Sequence, residues 1–307
     1  MTTTVVLPTY NRADVLPRAI ESVLGQTTGD FELVIVDDAS TDHTRDVVTE
    51  YLSTDDRIRY AAHRTNRGVA AARNTGIETA TSEYISLLDS DDELKPSFIE
   101  KSIRTLRTLP PCCAGVYVTL ECRKEGRSDG LYEAVPLLPV ADSIGTEAIS
   151  AARTGGMTVR KNAITEVGPF DVRFERVSDT EYWVRLLQSY QLVGIEEPLY
   201  IYHTSDDQKT KRIGPQIEGT ELFLSKHREV LTSEARAEWL HHLAELYVEN
   251  GEFSKAARTF SEATNYEPRL SAYSLSLALQ ISPRLYEPID RMWEFGRRIE
   301  TAIIDSR

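Results

Sequence analysis

Between residues 4 and 122 short β-rich runs alternate with helical patterns, and this alternation constrains the chain more than any other feature. Val5-Val6-Leu7, Phe31 to Val36, Ile58 to Ala61 and Tyr84 to Leu88 are apolar runs of strand length, most ending in a polar turn. Leu16, Ala19, Ile20, Val23 and Leu24 recur at helical spacing between the first two. Val47, Val48, Tyr51 and Leu52 share a face of a second helix from about Asp42, and a third begins at Val69. Neighbouring parallel strands need a crossover, and an amphipathic helix supplies it while covering the sheet, so the pattern predicts a mostly parallel sheet flanked by helices. Ligands bind such a sheet at the carboxyl ends of its strands.

Beyond this region the signal changes. Residues 123–154 mix Gly, Pro and charge with isolated apolar residues such as Leu131, Leu137 and Leu138, which reads as a loop-rich insertion. Order returns at Met157 to Arg160, followed by a helix near Ile164, a turn at Gly168 to Asp171, a helix carrying Trp183, Leu186, Leu187 and Tyr190, and a strand from Leu199 to Tyr202. From residue 213 the period is helical. The 307 residues, at roughly 150 per domain, leave room for about two domains, read here as 1–212 and 213–307. Within the second, Leu240, Leu243, Ala244, Tyr247, Gly251, Ala256, Phe260, Ala263 and Pro268 fall at tetratricopeptide spacing over about 237–270. One unit cannot stand alone as an array, so this part is expected to be a helical appendage of the first domain.

Charge and cysteine content exclude whole classes of function. The net charge of -13 repels phosphate backbones, so nucleic acid is an unsuitable partner. Cys112, Cys113 and Cys122 lack the spacing of a zinc site or a disulfide framework, which fits a reducing compartment. Strand pattern begins within a few residues of Met1 and no apolar run reaches the roughly 18–20 residues of a membrane span, so a cytoplasmic location is expected, with the inner face of the membrane as an extension of it. In the tail, Met292, Trp293, Phe295, Ile299, Ile303 and Ile304 gather on one helical side beside Arg291, Arg297 and Arg298. That side can pack on the preceding helices, touch a membrane surface peripherally, or take a protein partner.

The carboxylates carry the chemistry. Asp37-Asp38-Ala39-Ser40-Thr41-Asp42 leaves a buried strand, where adjacent acids repel, so a ligand offering donors, such as a uracil or a ribose, is expected there. Asp89-Ser90-Asp91-Asp92 follows an apolar run; in an extended segment Asp89 and Asp91 would share a face and converge on a hard cation such as Mg²⁺ or Mn²⁺. Asn66-Arg67-Gly68 feeds the helix Ala70-Ala71-Ala72-Arg73-Asn74-Thr75-Gly76, whose small residues permit close approach to a ligand or to the sheet. Arg73 is suited to a diphosphate or a base edge, and equally to a salt bridge on the helix surface.

Taken in order, Val5-Val6-Leu7-Pro8-Thr9-Tyr10-Asn11-Arg12, Val36 to Asp42, Asn66-Arg67-Gly68 with Ala72-Arg73-Asn74, and Asp89-Ser90-Asp91-Asp92 resemble the successive motifs of family 2 glycosyltransferases with the GT-A fold, over about residues 4–210. The resemblance implies an α/β GT-A domain with a C-terminal all-α extension. It implies inverting transfer from a nucleoside diphosphate sugar, UDP above all, to a glycan, lipid-linked or polysaccharide acceptor, with a divalent metal, Mn or Mg. By the same resemblance Pro8, Tyr10 and Asp38 line the base, Arg73 lies near the nucleotide, Asp89 meets ribose or metal, and Asp91 coordinates the metal. Family members carry a Glu-Asp pair four residues before a Trp, its Asp the catalytic base; here Ser178-Asp179 precedes Trp183, which gives Asp179 that role. Ser178-x-x-Glu181 is also a capping box, and Glu181 is the substitute base. His203 is a further metal-ligand candidate, and Lys209, Lys211 and Arg212 a cationic cluster suited to the diphosphate. The competing reading is a noncatalytic nucleotide-sugar-binding or scaffold protein that recruits partners through its helical tail.

Overall fold

The computed structural model describes residues 2–124, 127–151, 155–204, 213–268, 270–286, 288–289 and 291. The chain divides into two compact units, Met1–Asp142 with Glu147–Lys211, and Ser143–Thr146 with Arg212–Arg307.

The first unit opens with β1 (Thr3–Thr9), α1 (Leu16–Leu24), β2 (Phe31–Asp37), α2 (Thr44–Leu52), β3 (Ile58–Ala62), α3 (Val69–Thr79) and β4 (Tyr84–Leu87). β1 pairs in parallel with β2 on one side and β4 on the other, and β3 pairs in parallel with β2. Every residue of β1 and β2 is buried, which is why these strands read as continuous apolar runs rather than as alternation. The chain builds outward from β1 to β3 and then returns to the other side of β1. The crevice beside β1 at the carboxyl ends of β1 and β4 is therefore the switch point where an open α/β sheet takes its ligand.

The small residues of α3 serve the sheet at Gly76, where an added Cβ would lie 2.3 Å from Cγ1 of Val6. Core packing there brings α3 directly onto β1 and sets the height of Arg73 above the crevice.

The unit continues with β5 (Glu93–Leu94), α4 (Phe98–Thr108), β6 (Cys113–Lys124), β7 (Arg127–Tyr132), β8 (Leu137–Leu138), α5 (Thr146–Ala151), β9 (Met157–Arg160), α6 (Lys161–Val167), α7 (Ser178–Ser189) and β10 (Gln191–Thr204). The sheet runs β3-β2-β1-β4-β9-β6-β10-β5. Two expectations need correction. Residues 123–154 hold more order than the loop-rich reading gave them, because β7 pairs antiparallel with β6, Leu120 opposite Tyr132 and Glu121 opposite Leu131. β7 is exposed along its whole length, so it carries no hydrophobic alternation to announce it. The closing strand is also longer than Leu199 to Tyr202, because β10 follows β6 in parallel through bulges.

The second unit holds α8 (Ile213–Lys226), α9 (Ser233–Glu249), α10 (Phe253–Tyr266) and α11 (Leu270–Ile281). Thr232 caps α9 by accepting from Ala235 N at 3.2 Å. Ala244 of α9 and Ala256, Phe260 and Ala263 of α10 are buried, and Gly251, at φ 76°, makes the turn between the two helices. These helices occupy the positions read as a tetratricopeptide-like pair. Ile144, from the region read as insertion, belongs to this unit: its N donates to Val230 O and its O accepts from Thr232 N. The tail residues Met292, Trp293, Phe295, Arg297, Arg298, Ile299, Ile303 and Ile304 lie outside the described residues. Among the described residues no helix is long and apolar enough to cross a membrane.

Candidate active site

Four segments meet around the carboxyl edge of the sheet. Pro8 is buried within β1 opposite Val36, and Tyr10 stands just beyond, 44% exposed. Asp37 and Asp38 end β2 and enter its turn. The repulsion expected between these acids is met inside the protein, which corrects the expectation that a ligand must supply the donors. Asp37 Oδ1 accepts from Ser40 N at 2.8 Å and its Oδ2 from Tyr60 Oη at 2.8 Å. Asp38 is buried and accepts from Gly68 N at 2.7 Å and Arg67 N at 2.9 Å. Its Oδ1 lies 2.6 Å from His63 Nδ1, and His63 Nε2 lies 2.9 Å from Thr75 Oγ1. Asp38 thus ties β2, the residue after β3 and the start of α3 into one knot. Gly68 accommodates the knot with a φ of 86° that a side chain would resist.

Asp89 to Asp92 form a hydrogen-bonded turn, Asp92 N donating to Asp89 O at 3.1 Å, rather than the extended segment expected. Each carboxylate has its own partner. Asp89 Oδ1 accepts from Arg73 at 2.8 Å. Asp91 Oδ2 stands 3.4 Å from the half-exposed Arg12 guanidinium, while Arg18 donates to the Asp91 carbonyl. Asp92 is buried and accepts from Tyr200 Oη at 2.7 Å and His203 N at 2.8 Å. Burial, and then the charges of Asp89 and Asp91, push its carboxyl well above the ordinary range.

Arg73 is not a surface residue; it is 5% exposed. Burial works against its charge, but Asp89 and then Asp179 outweigh this and raise its pKa. Its guanidinium also lies 5.5 Å from the Phe170 ring centroid. One residue along, Asn74 clamps the backbone of Phe170 on both sides, Nδ2 donating to Phe170 O and Oδ1 accepting from Phe170 N, each at 2.8 Å. Phe170 then stacks on Tyr182 of α7 with centroids 4.1 Å apart. The helix that carries Arg73 therefore also holds the segment leading to Asp179.

Asp179 sits in the first turn of α7, half-buried, its Oδ1 accepting from Thr180 N at 2.9 Å. The capping box does not form. The cap position is Val177 with no side-chain bond, and Glu181 lies fully buried, bound at both oxygens by Arg185 at 2.7 and 3.0 Å. A buried carboxylate held by a guanidinium is no substitute base, so Glu181 is set aside. Among the described residues, the non-glycine residues with positive φ are Asn11, Ala39 and Val177, at 51°, 66° and 66°. Each sits in a turn of this site, and a β-branched residue there costs on the order of 1–2 kcal/mol that the surrounding packing must offset.

His203 joins the aspartate turn through its N, which donates to Asp92 Oδ1 at 2.8 Å, while its Nε2 faces Glu93 Oε1 at 2.6 Å; among the described residues no three His, Cys, Asp or Glu side chains are grouped so that they could hold a metal ion. Lys209, Lys211 and Arg212 lie outside the described residues. His63 was missed in the sequence because a lone histidine after an ordinary strand carries no signal. Asn74 had one, a side chain with both donor and acceptor beside Arg73, but nothing local names its partner. Tyr200 reads only as part of a strand.

The sequence pattern of Glycosyl transferase family 2 matches residues 4–168. The putative teichuronic acid biosynthesis glycosyltransferase TuaG of Bacillus subtilis is 41% identical over 99 residues, a match spanning 32% of this chain and 39% of TuaG. An uncharacterized glycosyltransferase of Haemophilus influenzae is 27% identical over 303 residues, 94% of this chain and 98% of that one. Among solved structures, residues 1–349 of S. aureus TarS in complex with UDP superpose with a TM-score of 0.67 at 16% identity, covering 96% of this chain and 92% of the other. The mannosyltransferase PcManGT of Pyrobaculum calidifontis, in complex with GDP-Man and Mn²⁺, superposes with a TM-score of 0.59 at 19% identity, covering 95% and 82%. The fold is that of the GT-A glycosyltransferases. With the matched pattern spanning more than half of the chain and its motifs meeting at one crevice, this chain belongs to glycosyl transferase family 2.

Proposed function

We propose that this chain transfers a sugar from a nucleoside diphosphate donor, UDP in the first place, to an acceptor hydroxyl with inversion at the anomeric carbon, and that Asp179 is the base. The observation that carries this reading is the buried Arg73, which binds Asp89 at 2.8 Å and feels the charge of Asp179. The donor-side acid and the base thus lie around one fixed guanidinium. The UDP bound by TarS and the GDP-Man and Mn²⁺ bound by PcManGT support a nucleotide sugar and a divalent metal, Mn²⁺ or Mg²⁺.

Asp89 and Asp91 fit such a metal in kind, because they are hard carboxylate oxygens. As a pair they fit the habit of Mg²⁺ and Mn²⁺ of taking one or two carboxylates together with substrate phosphates. A bound cation would neutralise the charge that builds on the departing diphosphate. Pro8 and Tyr10 flank the base, and Asp38 shapes its pocket by holding the 67–68 backbone. As the acceptor oxygen bonds to the anomeric carbon, its proton passes to Asp179. The bond from that carbon to the diphosphate oxygen breaks, its electron pair leaving with the nucleoside diphosphate. Asp179, fixed at a helix start on the rim, can face an incoming hydroxyl, whereas Glu181 cannot.

The test is a donor screen by nucleoside diphosphate release with Mn²⁺, Mg²⁺ or chelator. Asp179→Asn should keep donor binding and lose roughly 10²–10⁴ in turnover, the range of a general base. Turnover close to that of the unmodified protein would remove Asp179 from this role.

A further inference from the structure

Beside β6 and β7 lies a groove of about 360 Å³ that the reaction described above leaves without an occupant. Its walls include Tyr117 and Leu120 of β6, Tyr132 of β7, the exposed Glu133 and Glu147, and Gly155. The location is informative. β9 runs antiparallel to β4 and begins at Met157, opposite Leu87 and two residues after Gly155. Contacts place Gly155 beside the aspartate turn. A Cβ on Gly155 would lie 2.6 Å from Tyr200 Oη, and that hydroxyl is bonded to Asp92 and lies 3.4 Å from Asp89 N. One tyrosine ring therefore separates the groove from the aspartate turn.

The lining chemistry is one-sided. Among the described residues that line it, aromatic and aliphatic surface is combined with two carboxylates and with no Lys, Arg or His. Glu133 and Glu147 have no ion-pair partner among the described residues. Carboxylates only accept hydrogen bonds, so they suit hydroxyl or ammonium donors and repel a uronate or a phosphodiester. Tyr132 is 44% exposed and Leu131 51%. An aromatic face with acceptors at its edge suits the apolar face and hydroxyl rim of a pyranose.

We propose that this groove is the acceptor subsite and that it selects a saccharide whose terminal sugar is uncharged or bears an amine, discriminating against acidic sugars through Glu133 and Glu147. The proposal rests on the reading that the donor occupies the crevice at Asp89.

Saturation-transfer NMR on the full chain tests it, with UDP in every sample and the methyl glycosides of glucose, N-acetylglucosamine, glucosamine and glucuronic acid as probes. The first three should receive saturation and the glucuronide should not. Tyr132→Ala should abolish transfer to the sugars while leaving the UDP signals unchanged. Glu133→Lys with Glu147→Lys should shift the preference toward the glucuronide by roughly tenfold or more, as a favourable contact becomes a like-charge one for the amine and the reverse for the acid. These positions are exposed, so the variants keep the fold. Equal transfer to the glucuronide and the neutral glycosides, no transfer to any sugar, or indifference to the three substitutions would overturn the proposal. Sugar signals without UDP signals would instead refute the donor reading and leave the groove standing.

Discussion

Replacing Asp38 separates its structural work from its charge. Its side chain is 4% exposed and that of His63 6%, so water does not substitute freely for either. Asp38→Ala leaves Arg67 N, Gly68 N and His63 Nδ1 without their acceptor. Each orphaned buried donor costs about 1–3 kcal/mol, so the loss should be about 3–6 kcal/mol once water entering the vacated space is allowed for. Asp38→Asn is different in kind. Its Oδ1 can keep the two backbone donors while its amide faces His63, which can respond by releasing the Nδ1 proton and holding one on Nε2, toward Thr75 Oγ1. That exchange of tautomer should limit the cost to about 1–2 kcal/mol. For a unit of this size each kcal/mol moves the melting temperature by about 2–4 °C, so Asp38→Ala should fall by roughly 6–24 °C and Asp38→Asn by roughly 2–8 °C. Calorimetry reads the first difference, and ¹⁵N chemical shifts of His63 read the second. If Asp38→Ala melts with the unmodified protein, or if His63 keeps its Nδ1 proton in Asp38→Asn, the knot is not the device argued here.

Asp91→Ala should leave the melting temperature nearly unchanged, because the side chain is partly exposed and its Arg12 partner half-exposed, yet it should remove any Mn²⁺ enhancement of UDP binding; titration calorimetry with and without the metal decides. Gly76→Ala places a methyl 2.3 Å from Val6 Cγ1 and should cost about 1–3 kcal/mol or more by overpacking, lowering donor affinity as Arg73 is displaced; a variant as stable as the parent would refute the close α3 contact. Burial raises the Glu32 carboxyl, but the Thr4 hydroxyl, Thr81 and Arg59 outweigh it and leave its pKa below the ordinary value near 4.5. A carboxylate with a depressed folded-state pKa contributes its full stability above the unfolded value and loses it as pH falls through the folded one. Glu32→Gln should therefore flatten the melting profile below about pH 4.5, and an unchanged acid slope would count against it.

The periodicity of residues 4–88 was sufficient for the parallel sheet, because strands buried on both faces are mostly apolar and the helices between them turn an apolar face to the sheet. The motif order made the family legible, and the position of each acid after an apolar run located the carboxyl edge of the sheet. The partners of those acids were not legible. Asp38 meets His63 and Gly68, Arg73 meets Asp89, and Asn74 meets Phe170 across separations of 25, 30, 16 and 96 residues, and no local pattern encodes a hydrogen bond that crosses from one turn to another. The same limit explains Glu181, whose spacing spells a capping box while packing against Arg185 takes the side chain elsewhere. It also explains β7, an exposed strand that exists because β6 offers it an edge rather than because its residues demand one. Sequence determined which residues have to be buried and which can titrate. The tertiary structure decided which guanidinium or backbone amide each carboxylate meets, because that pairing depends on how the crossovers stack the four turns along one sheet edge.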